Sequence, residues 1–264
     1  MRSRSIDTGK LIRFIVILAF AAALVFAVVS SCMNLSKRSL RIGLAESSRP
    51  LTYVDDKKNI LGFEADYARM LAEKLGKKPE LKIYKPEDMG EALDSGAIDC
   101  VVAVRQSVHD YVADAFETAP FISYGLVFVK NPSDDTLAGE EDLPGKRAGL
   151  IINSDAEDLC DRLLKLYAFN VRLYDFEIQP FQDLKLEKND LVIADEIFAR
   201  YMQIEEPDNY CVLDTVYDMA GYGLRLSRKL TRQAALDIDE AVIALKGDIG
   251  LRDLYSKWFG AVLI

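Results

Sequence analysis

The chain has 264 residues, half of them hydrophobic, and a formal net charge of −9. This composition is typical of a protein with a packed core and excludes a largely disordered chain. Residues 1–31 carry four basic residues and one acidic residue, so the remainder carries a charge of −12. An acidic body of this kind repels a phosphate backbone, and we therefore expect no binding to nucleic acid.

The N-terminal segment has the pattern of an export signal or a membrane anchor. A basic stretch leads into sixteen consecutive apolar residues, Phe14 to Val29, a length between that of a signal-peptide core and that of a membrane-spanning helix. The next residues, Ser-Ser-Cys, resemble a bacterial lipobox, whose cysteine is lipidated. We predict a lipoprotein signal or an uncleaved anchor at 1–31, lipidation of Cys32 and a tether at 32–38. Both forms place the body outside the cytoplasm, because the basic flank stays inside.

The remaining cysteines, Cys100, Cys160 and Cys211, cannot all pair within one chain. The sequence has no Cys/His spacing typical of a metal site, and His109 is its one histidine. We therefore expect neither a bound metal nor a cofactor.

Strands and helices alternate along the chain. The first part predicts a strand at 39–44, a helix over 62–76 that ends at Gly76, a strand at 80–84, a helix over 87–96 and a strand at 99–104. The second part predicts a strand at 145–152, a helix over 153–170, a strand at 171–176, one or two helical turns at 180–188, a strand at 190–194 and two amphipathic helices that are broken near Gly247–Gly250. This alternation predicts an α/β fold with mainly parallel sheets flanked by helices.

The helix over 153–170 has a capping box at its start, with Ser154 as the N-cap and Glu157 three residues later. Asn170 suits its C-terminus. The strands that begin at Asp99 and Asp190 share a pattern of Asp, three apolar residues and Ala, which predicts two similar lobes.

Several short blocks follow one another between residues 39 and 260: LRIGL, RPLTYVD, GFEADYARMLAEKLG, EALDSGAIDCVVA, EEDLPGKRAGL, DLVIAD and GLRDLYSKWFG. In this order and spacing they resemble the extracellular solute-binding proteins of family 3, the periplasmic receptors of polar-amino-acid ABC transporters. The resemblance implies a type II periplasmic-binding-protein fold, with two lobes joined by two hinge strands. Lobe one would comprise 39–126 plus 218–264 and lobe two 127–217, and the lobes would close over a ligand in the cleft between them.

Asp195 ends the apolar strand at 190–194, and open α/β sheets bind ligands beyond the carboxyl ends of their strands. In the family that this chain resembles, the aspartate that matches Asp195 accepts hydrogen bonds from the ligand's α-ammonium group. A desolvated carboxylate needs such a partner of opposite charge. The alternative is that Asp195 only caps the following helix, through Arg200.

The resemblance places further ligand-binding residues at Ser48, Tyr53, Arg105, Gln106, Tyr111, Asn153, Ser154 and Asp155. Tyr111, or Asp110 if one residue is inserted, stands where the family has its carboxylate-binding arginine, and Arg105 lies six residues earlier, either in the cleft or in solvent. Ser48 stands where the family has an aromatic residue, for which Tyr53 either substitutes or packs in the core.

Asn153-Ser154-Asp155 replaces the family's usual Gly-Thr-Thr at a helix N-terminus. An acid there is favoured by the helix dipole and would repel a ligand carboxylate, although Asp155 could equally be a first-turn acid without a ligand role. We therefore expect a cationic or amine-rich solute, or an amino acid held in an unusual way.

These inferences predict a monomeric, lipid-anchored, non-catalytic receptor outside the cytoplasm that passes an amino acid or a cationic amine to an ABC permease. The membrane contact would be the lipid or the N-terminal helix. One alternative is a sensory or interaction module of the same fold that acts on a partner. Another is a dehydratase-like enzyme in which Asp155, Glu196 or His109 carries out acid–base chemistry.

Overall fold

The computed structural model describes residues 39–45, 49–106 and 116–260, apart from the side chains of Pro86 and of residues 103–106. The strands in these ranges are β1 (Ser39–Ala45), β2 (Tyr53–Val54), β3 (Ile60–Leu61), β4 (Lys78–Tyr84), β5 (Cys100–Gln106), β6 (Ile122–Lys130), β7 (Arg147–Ile151), β8 (Asn170–Tyr174), β9 (Leu191–Asp195), β10 (Cys211–Val212) and β11 (Tyr217–Leu226). The α-helices are α1 (Phe63–Lys74), α2 (Pro86–Ser95), α3 (Asp155–Leu163), α4 (Ile178–Lys185), α5 (Glu196–Glu205), α6 (Arg232–Lys246) and α7 (Ile249–Phe259).

Nine of the described strands form one sheet, in the order β4-β1-β5-β11-β6-β9-β7-β8, and β10 pairs with β6 outside this path. At one end β1 runs parallel to β4 and β5, and at the other β7 runs parallel to β8 and β9. Between them β6 and β11 run antiparallel to each other and to their outer neighbours. Two parallel segments are thus joined by two long crossing strands, as predicted.

Each parallel segment has its own apolar core. In the first, the rings of Tyr67 and Phe121 stack with their centroids 3.9 Å apart, and Phe259 of the last helix packs against Phe63. In the second, one buried cluster lies under α3, and another includes Phe181. Burial of aromatic rings on both sides of the crossing strands is what makes each segment a separate lobe. The exact lobe boundaries at residues 126 and 217 stay a prediction.

Most predicted element ends lie within three residues of the observed ends, and one is wrong. Helix α2 ends at Gly96, whose φ of 75° is a left-handed conformation that glycine adopts without strain. The helix predicted over 153–170 ends instead at Leu163, and Asn170 starts β8. The reason is long-range pairing: Asn170 lies opposite Arg147 of β7, and its N–H donates to the Lys146 carbonyl at 2.8 Å.

Cys100, Cys160 and Cys211 carry free thiols, and the first two are buried. In the described ranges we find no helix with the length and hydropathy needed to cross a membrane. The predicted signal segment, the tether and Cys32 lie outside those ranges.

Glu64, in the first turn of α1, is a buried carboxyl group. It is 5% exposed and accepts a 2.5 Å hydrogen bond from the hydroxyl of Thr52, which is fully buried. Burial raises the pKa of Glu64 to about 7, against the smaller lowering effect of the Thr52 hydrogen bond. This contact pins the segment from Arg49 to Val54 onto α1.

We predict that Glu64→Gln makes the protein less sensitive to pH. Below pH 4.5 Glu64 is protonated in the folded and the unfolded chain, and above pH 7 it is ionised in both. The cost of burying its charge therefore develops between these values, up to about 3 kcal/mol. In urea titrations the variant should be more stable than the wild type at pH 8 and nearly equal to it at pH 4.

Glu73→Gln, an exposed change on the same helix, serves as the control and should leave the free energy of unfolding unchanged at both pH values. An equal effect of Glu64→Gln at pH 4 and pH 8 would show that Glu64 is not a buried, titrating carboxyl.

Candidate functional site

A cavity of about 300 Å³ opens where β7 and β9 end. Three strand-to-helix or loop-to-helix junctions line it: the end of β7 with the start of α3, the start of α4, and the end of β9 with the start of α5. Its lining residues are Leu126, Ile151, Asn153, Ser154, Asp155, Ala156, Glu177, Pro180, Phe181, Val192, Ile193, Ala194, Asp195 and Phe198. The cavity therefore lies at the carboxyl edge of the sheet, where the sequence placed a ligand.

Asp195 both lines this cavity and caps the helix that follows it. It is the N-cap of α5, and its Oδ1 accepts a 3.0 Å hydrogen bond from the Ile197 N–H. Arg200 does not take part in this cap, because its guanidinium pairs with Glu196. The ligand role and the capping role are compatible, since a carboxylate has two oxygens and several acceptor positions.

The Asp195 carboxyl has a strongly shifted pKa. The pKa is raised to about 7, mainly by burial. The negative charges of Glu177 and Glu196 contribute to this rise, whereas the N–H groups of Ile197 and Phe198 oppose it. The helix N-terminus thus offsets only part of the desolvation. A cation at this position would stabilise the charged form.

The N-terminus of α3 supplies the second junction. Asn153 has a φ of 56°, a conformation that asparagine tolerates better than most residues, and Asp155 is the first helical residue. Ser154 is the N-cap, as predicted, but its hydroxyl donates to the Ile151 carbonyl at 2.6 Å. The predicted capping box is therefore wrong. It requires the Glu157 carboxylate to accept a hydrogen bond from the N–H of Ser154, but this carboxylate accepts from the N–H of Asn153. All three predicted residues line the cavity.

Glu177 supplies the third junction and was not predicted. It is the N-cap of α4, lines the cavity, and acts electrostatically on Asp195. The sequence feature that could have identified Glu177 is an acid that follows the strand at 171–176 and precedes a helix. Phe181 and Phe198, whose rings meet edge to face at 5.4 Å, form an apolar wall beside these acids.

The predicted residues of lobe one are less fully described. Tyr53 does not line the cavity; its ring lies 4.5 Å from the Arg49 guanidinium and meets the indole of Trp258 edge-on. Arg105 and Gln106 end β5 and pair with β11, but their side chains are not described. Ser48, Tyr111 and His109 lie outside the described ranges.

Two stacked tyrosines on the crossing strands lie next to the site. The rings of Tyr124 of β6 and Tyr222 of β11 stack nearly parallel, with centroids 3.9 Å apart. Burial raises the pKa of Tyr124 well above its usual value, and the charges of Asp195 and Glu64 add to this effect. The Tyr124 hydroxyl is therefore within electrostatic reach of a carboxyl from each parallel segment.

The chemistry of the cavity favours a cation. Each junction contributes one carboxylate, Asp155, Glu177 or Asp195. Among the residues that the structure describes, no lysine, arginine or histidine lines the cavity. Within the described ranges no cluster of histidine, cysteine or acidic residues is suited to hold a metal ion. An ammonium or guanidinium group fits these acids, whereas a ligand carboxylate would be repelled.

Comparison with known proteins points to one family. The model of the bacterial extracellular solute-binding proteins, family 3, matches residues 40–261. The L-cystine-binding protein TcyJ of Escherichia coli (strain K12) is 27% identical over 225 residues, which are 84% of this chain and 83% of that protein. The arginine-binding extracellular protein ArtP of Bacillus subtilis (strain 168) is 23% identical over 258 residues, 92% and 96% of the two chains.

Solved structures give the same result for the fold. An ancestral arginine-binding protein bound to arginine is similar with a TM-score of 0.59 and 26% identity, covering 84% of this chain and 99% of that one. The L-cystine solute receptor of Neisseria gonorrhoeae in its unliganded open conformation has a TM-score of 0.71 and 20% identity, with coverage of 88% and 97%. The predicted two-lobed type II fold is thereby confirmed.

We predict that Glu177→Gln lowers the pKa of Asp195. Removal of one nearby negative charge makes ionisation of Asp195 less costly. Carbon-13 NMR of the labelled aspartate carboxyls, followed from pH 4 to pH 9, should show an Asp195 midpoint near 7 in the wild type and a lower one in the variant.

Glu205→Gln, at the opposite end of α5, is the matched control and should leave this midpoint in place. An Asp195 midpoint near 4 in the wild type would contradict the described burial.

Proposed function

The chain belongs to the bacterial extracellular solute-binding proteins, family 3, and on this basis we propose that it is a receptor outside the cytoplasm for an amino acid or a related amine-containing solute. The observation that carries this proposal is the position of Asp195. It ends a buried strand, lines a cavity and lacks a full set of charge-stabilising partners, so that burial holds its pKa near 7. The α-ammonium group of an amino acid would supply the missing counter-charge.

The other acids narrow the class of solute. Asp155 and Glu177 add negative charge at the neighbouring junctions, which disfavours a second carboxylate such as that of glutamate. TcyJ is named for L-cystine and ArtP for arginine, and both ligands carry ammonium groups. A basic or neutral amino acid is therefore the preferred solute, with its hydrocarbon part against Phe181 and Phe198.

Binding would involve both lobes. We take lobe one as 39–126 plus 218–264 and lobe two as 127–217, so that nearly all of the described cavity belongs to lobe two. Closure about the crossing strands would bring lobe one over it. Ser48, Tyr53, Arg105, Gln106 and Tyr111 are the proposed contacts from that side.

The same proposal covers the place of the protein in transport. Two relatives are named as amino-acid ABC transporter-binding proteins, which supports delivery of the solute to a permease. The receptor would act as a monomer and without a catalytic residue. Lipidation of Cys32, or retention of the N-terminal helix, would keep the receptor at the membrane surface.

We predict that the full-length protein binds a basic or neutral amino acid through Asp195. The panel is L-arginine, L-cystine, L-glutamine, L-glutamate and putrescine, tested by thermal unfolding in detergent. A ligand at one hundred times its dissociation constant should add about 2.7 kcal/mol. Asp195→Asn keeps an N-cap residue but loses the charge, and should weaken binding by at least about thirtyfold.

Asp208→Asn, an exposed change just after α5, should bind like the wild type. The affinity of the wild type should fall about tenfold per pH unit below pH 7, because the solute needs the ionised form of Asp195. Above pH 7 it should stay constant as long as the solute keeps its ammonium proton. The proposal fails if no compound in the panel shifts the midpoint, or if Asp195→Asn binds as well as the wild type.

We also predict that Cys32 carries the lipid. Mass spectrometry of the membrane-extracted protein should show a chain that begins at Cys32 with a diacylglycerol attached. The lipidated form should be absent from the variant Cys32→Ser. It should still be present in Cys211→Ser, a change outside the N-terminal segment. An intact N-terminal segment in the wild type would favour the helical anchor instead.

A further inference from the structure

The parallel strands of lobe one begin at an edge of the sheet, the amino edge, that lies opposite their carboxyl ends. At this edge Ser39 of β1 pairs with Lys78 of β4, and Leu226, the last residue of β11, pairs with Cys100, the first residue of β5. Ser39 is also the first described residue after the predicted tether. The amino edge is therefore the part of the body that the N-terminal segment joins.

Direct contacts join the loops of the amino edge into one surface. The Arg41 guanidinium donates to the Gly96 carbonyl at 2.6 Å and pairs with the Asp99 carboxylate at 2.5 Å. The Ser227 N–H donates to the Asp99 carbonyl at 2.8 Å. A Cβ atom at Gly96 would stand 3.0 Å from the Lys229 side chain. The loops before β5 and after β11 thus keep fixed positions relative to each other and to β1.

The amino edge is basic, although the protein is acidic. The residues around Ser39, at 37–41, and the three loop segments 74–78, 94–99 and 225–232 contain ten basic and two acidic residues, a net charge of +8. Since residues 32–264 carry −12 in total, the rest of the body carries −20. The charge is thus strongly separated, and its positive end is where the tether joins the body.

Part of this positive charge is neutralised by acids of other elements. Lys74 pairs with Asp248 at 3.8 Å, and Arg225 pairs with Glu117 at 2.7 Å. Four other basic side chains of the amino edge make no ion pair with any acid in the described part of the chain, and all but the first, which is half-buried, are exposed: Lys77, Lys78, Lys229 and Arg232. These four cations remain available to an external anionic surface.

An anionic lipid surface matches this distribution of charge. Cys32 lies seven residues before Ser39, so an anchor at Cys32 keeps Ser39 within about 25 Å of the membrane. Charges are screened over about 8 Å at physiological ionic strength, so lipid headgroups interact mainly with the nearest face of the body. The amino edge is attracted to them, whereas the acidic remainder is repelled. Each basic side chain at the lipid surface strengthens this attraction about fivefold.

We propose that the amino edge of lobe one docks on anionic lipid headgroups when the chain is anchored in the membrane. The inference rests on the membrane anchor of the proposed function, in either of its two forms. It adds an electrostatic contact that sets the orientation of the body. The carboxyl edge of lobe one, which faces the crevice, then points away from the lipid.

The first test measures this orientation by labelling of lysines. The full-length protein is placed in nanodiscs of phosphatidylcholine, with or without added phosphatidylglycerol. A water-soluble acetylating reagent modifies exposed amines, and mass spectrometry gives the rate at each lysine. With phosphatidylglycerol, Lys78 and Lys229 should react at least about fivefold more slowly, and added salt should abolish the difference. Lys57 and Lys165, exposed lysines elsewhere, should react equally in both nanodiscs.

Two results would overturn the docking face. One is equal reactivity of Lys78 and Lys229 in the two kinds of nanodisc, which would show that anionic lipid does not cover them. The other is equal slowing at Lys57, Lys78, Lys165 and Lys229, which would show that the body has no preferred orientation. A protein that associates with neither kind of nanodisc would also contradict the proposal.

The second test reverses the charge of the face. Lys78→Glu combined with Lys229→Glu should make Lys77 react in phosphatidylglycerol nanodiscs as fast as it does in phosphatidylcholine. Lys57→Glu combined with Lys165→Glu changes the net charge equally, away from the amino edge, and should leave Lys77 protected. Protection of Lys77 that persists in the first double variant, or that is lost in both, would contradict a specific docking face.

The outcomes separate this inference from the proposed receptor function. The amino edge does not line the cavity, so both double variants should show the wild-type shift of the unfolding midpoint with the amino acid that stabilises the protein. A shift of the midpoint without protection of the lysines would contradict the docking face alone. Protection in a protein that no amino acid stabilises would support the docking face and contradict the receptor function.

Discussion

The structure depends on one constraint, a carboxylate at the end of a strand that is buried on both faces. Leu191, Val192 and Ile193 lie between β6 and β7 and are almost completely shielded from water. The strand therefore delivers Asp195 into a poorly solvated position. The N-terminus of α5 offsets part of the desolvation cost of the charged carboxylate, but a pKa near 7 means that much of this cost remains. Under the proposed function, the ammonium group of the solute would supply the missing positive charge.

The helices around Asp195 also begin at the carboxyl ends of the strands and place further acids there. Helix N-termini attract anions, and in this chain three of them receive carboxylates from the protein itself, at Asp155, Glu177 and Asp195. The helix dipoles that elsewhere hold a ligand's anionic group are therefore directed at acids of the chain. Under the proposed function, this arrangement would change the preference for ligand charge without any change in topology. The crossing strands supply the remaining requirement, a hinge next to the site.

Local patterns predicted the strands and helices of the two parallel segments, and the family resemblance supplied the crossing strands and the proposed site residues. The apolar run before Asp195 gave strand β9, and Gly96 gave the end of α2, because burial and left-handed backbone act within a few residues. Features set by distant partners were missed. Asn170 pairs with β7 and does not belong to the helix predicted for it, and the Glu157 carboxylate accepts from Asn153 instead of Ser154.

The central claim is that Asp195 receives the ammonium group of the solute. The most direct measurement is a crystal structure of the full-length protein with the amino acid that stabilises it most. The account predicts the ligand nitrogen within about 3 Å of an Asp195 carboxylate oxygen, enclosed between the lobes. A ligand bound elsewhere, or one whose carboxylate and not its ammonium group faces Asp195, would contradict it.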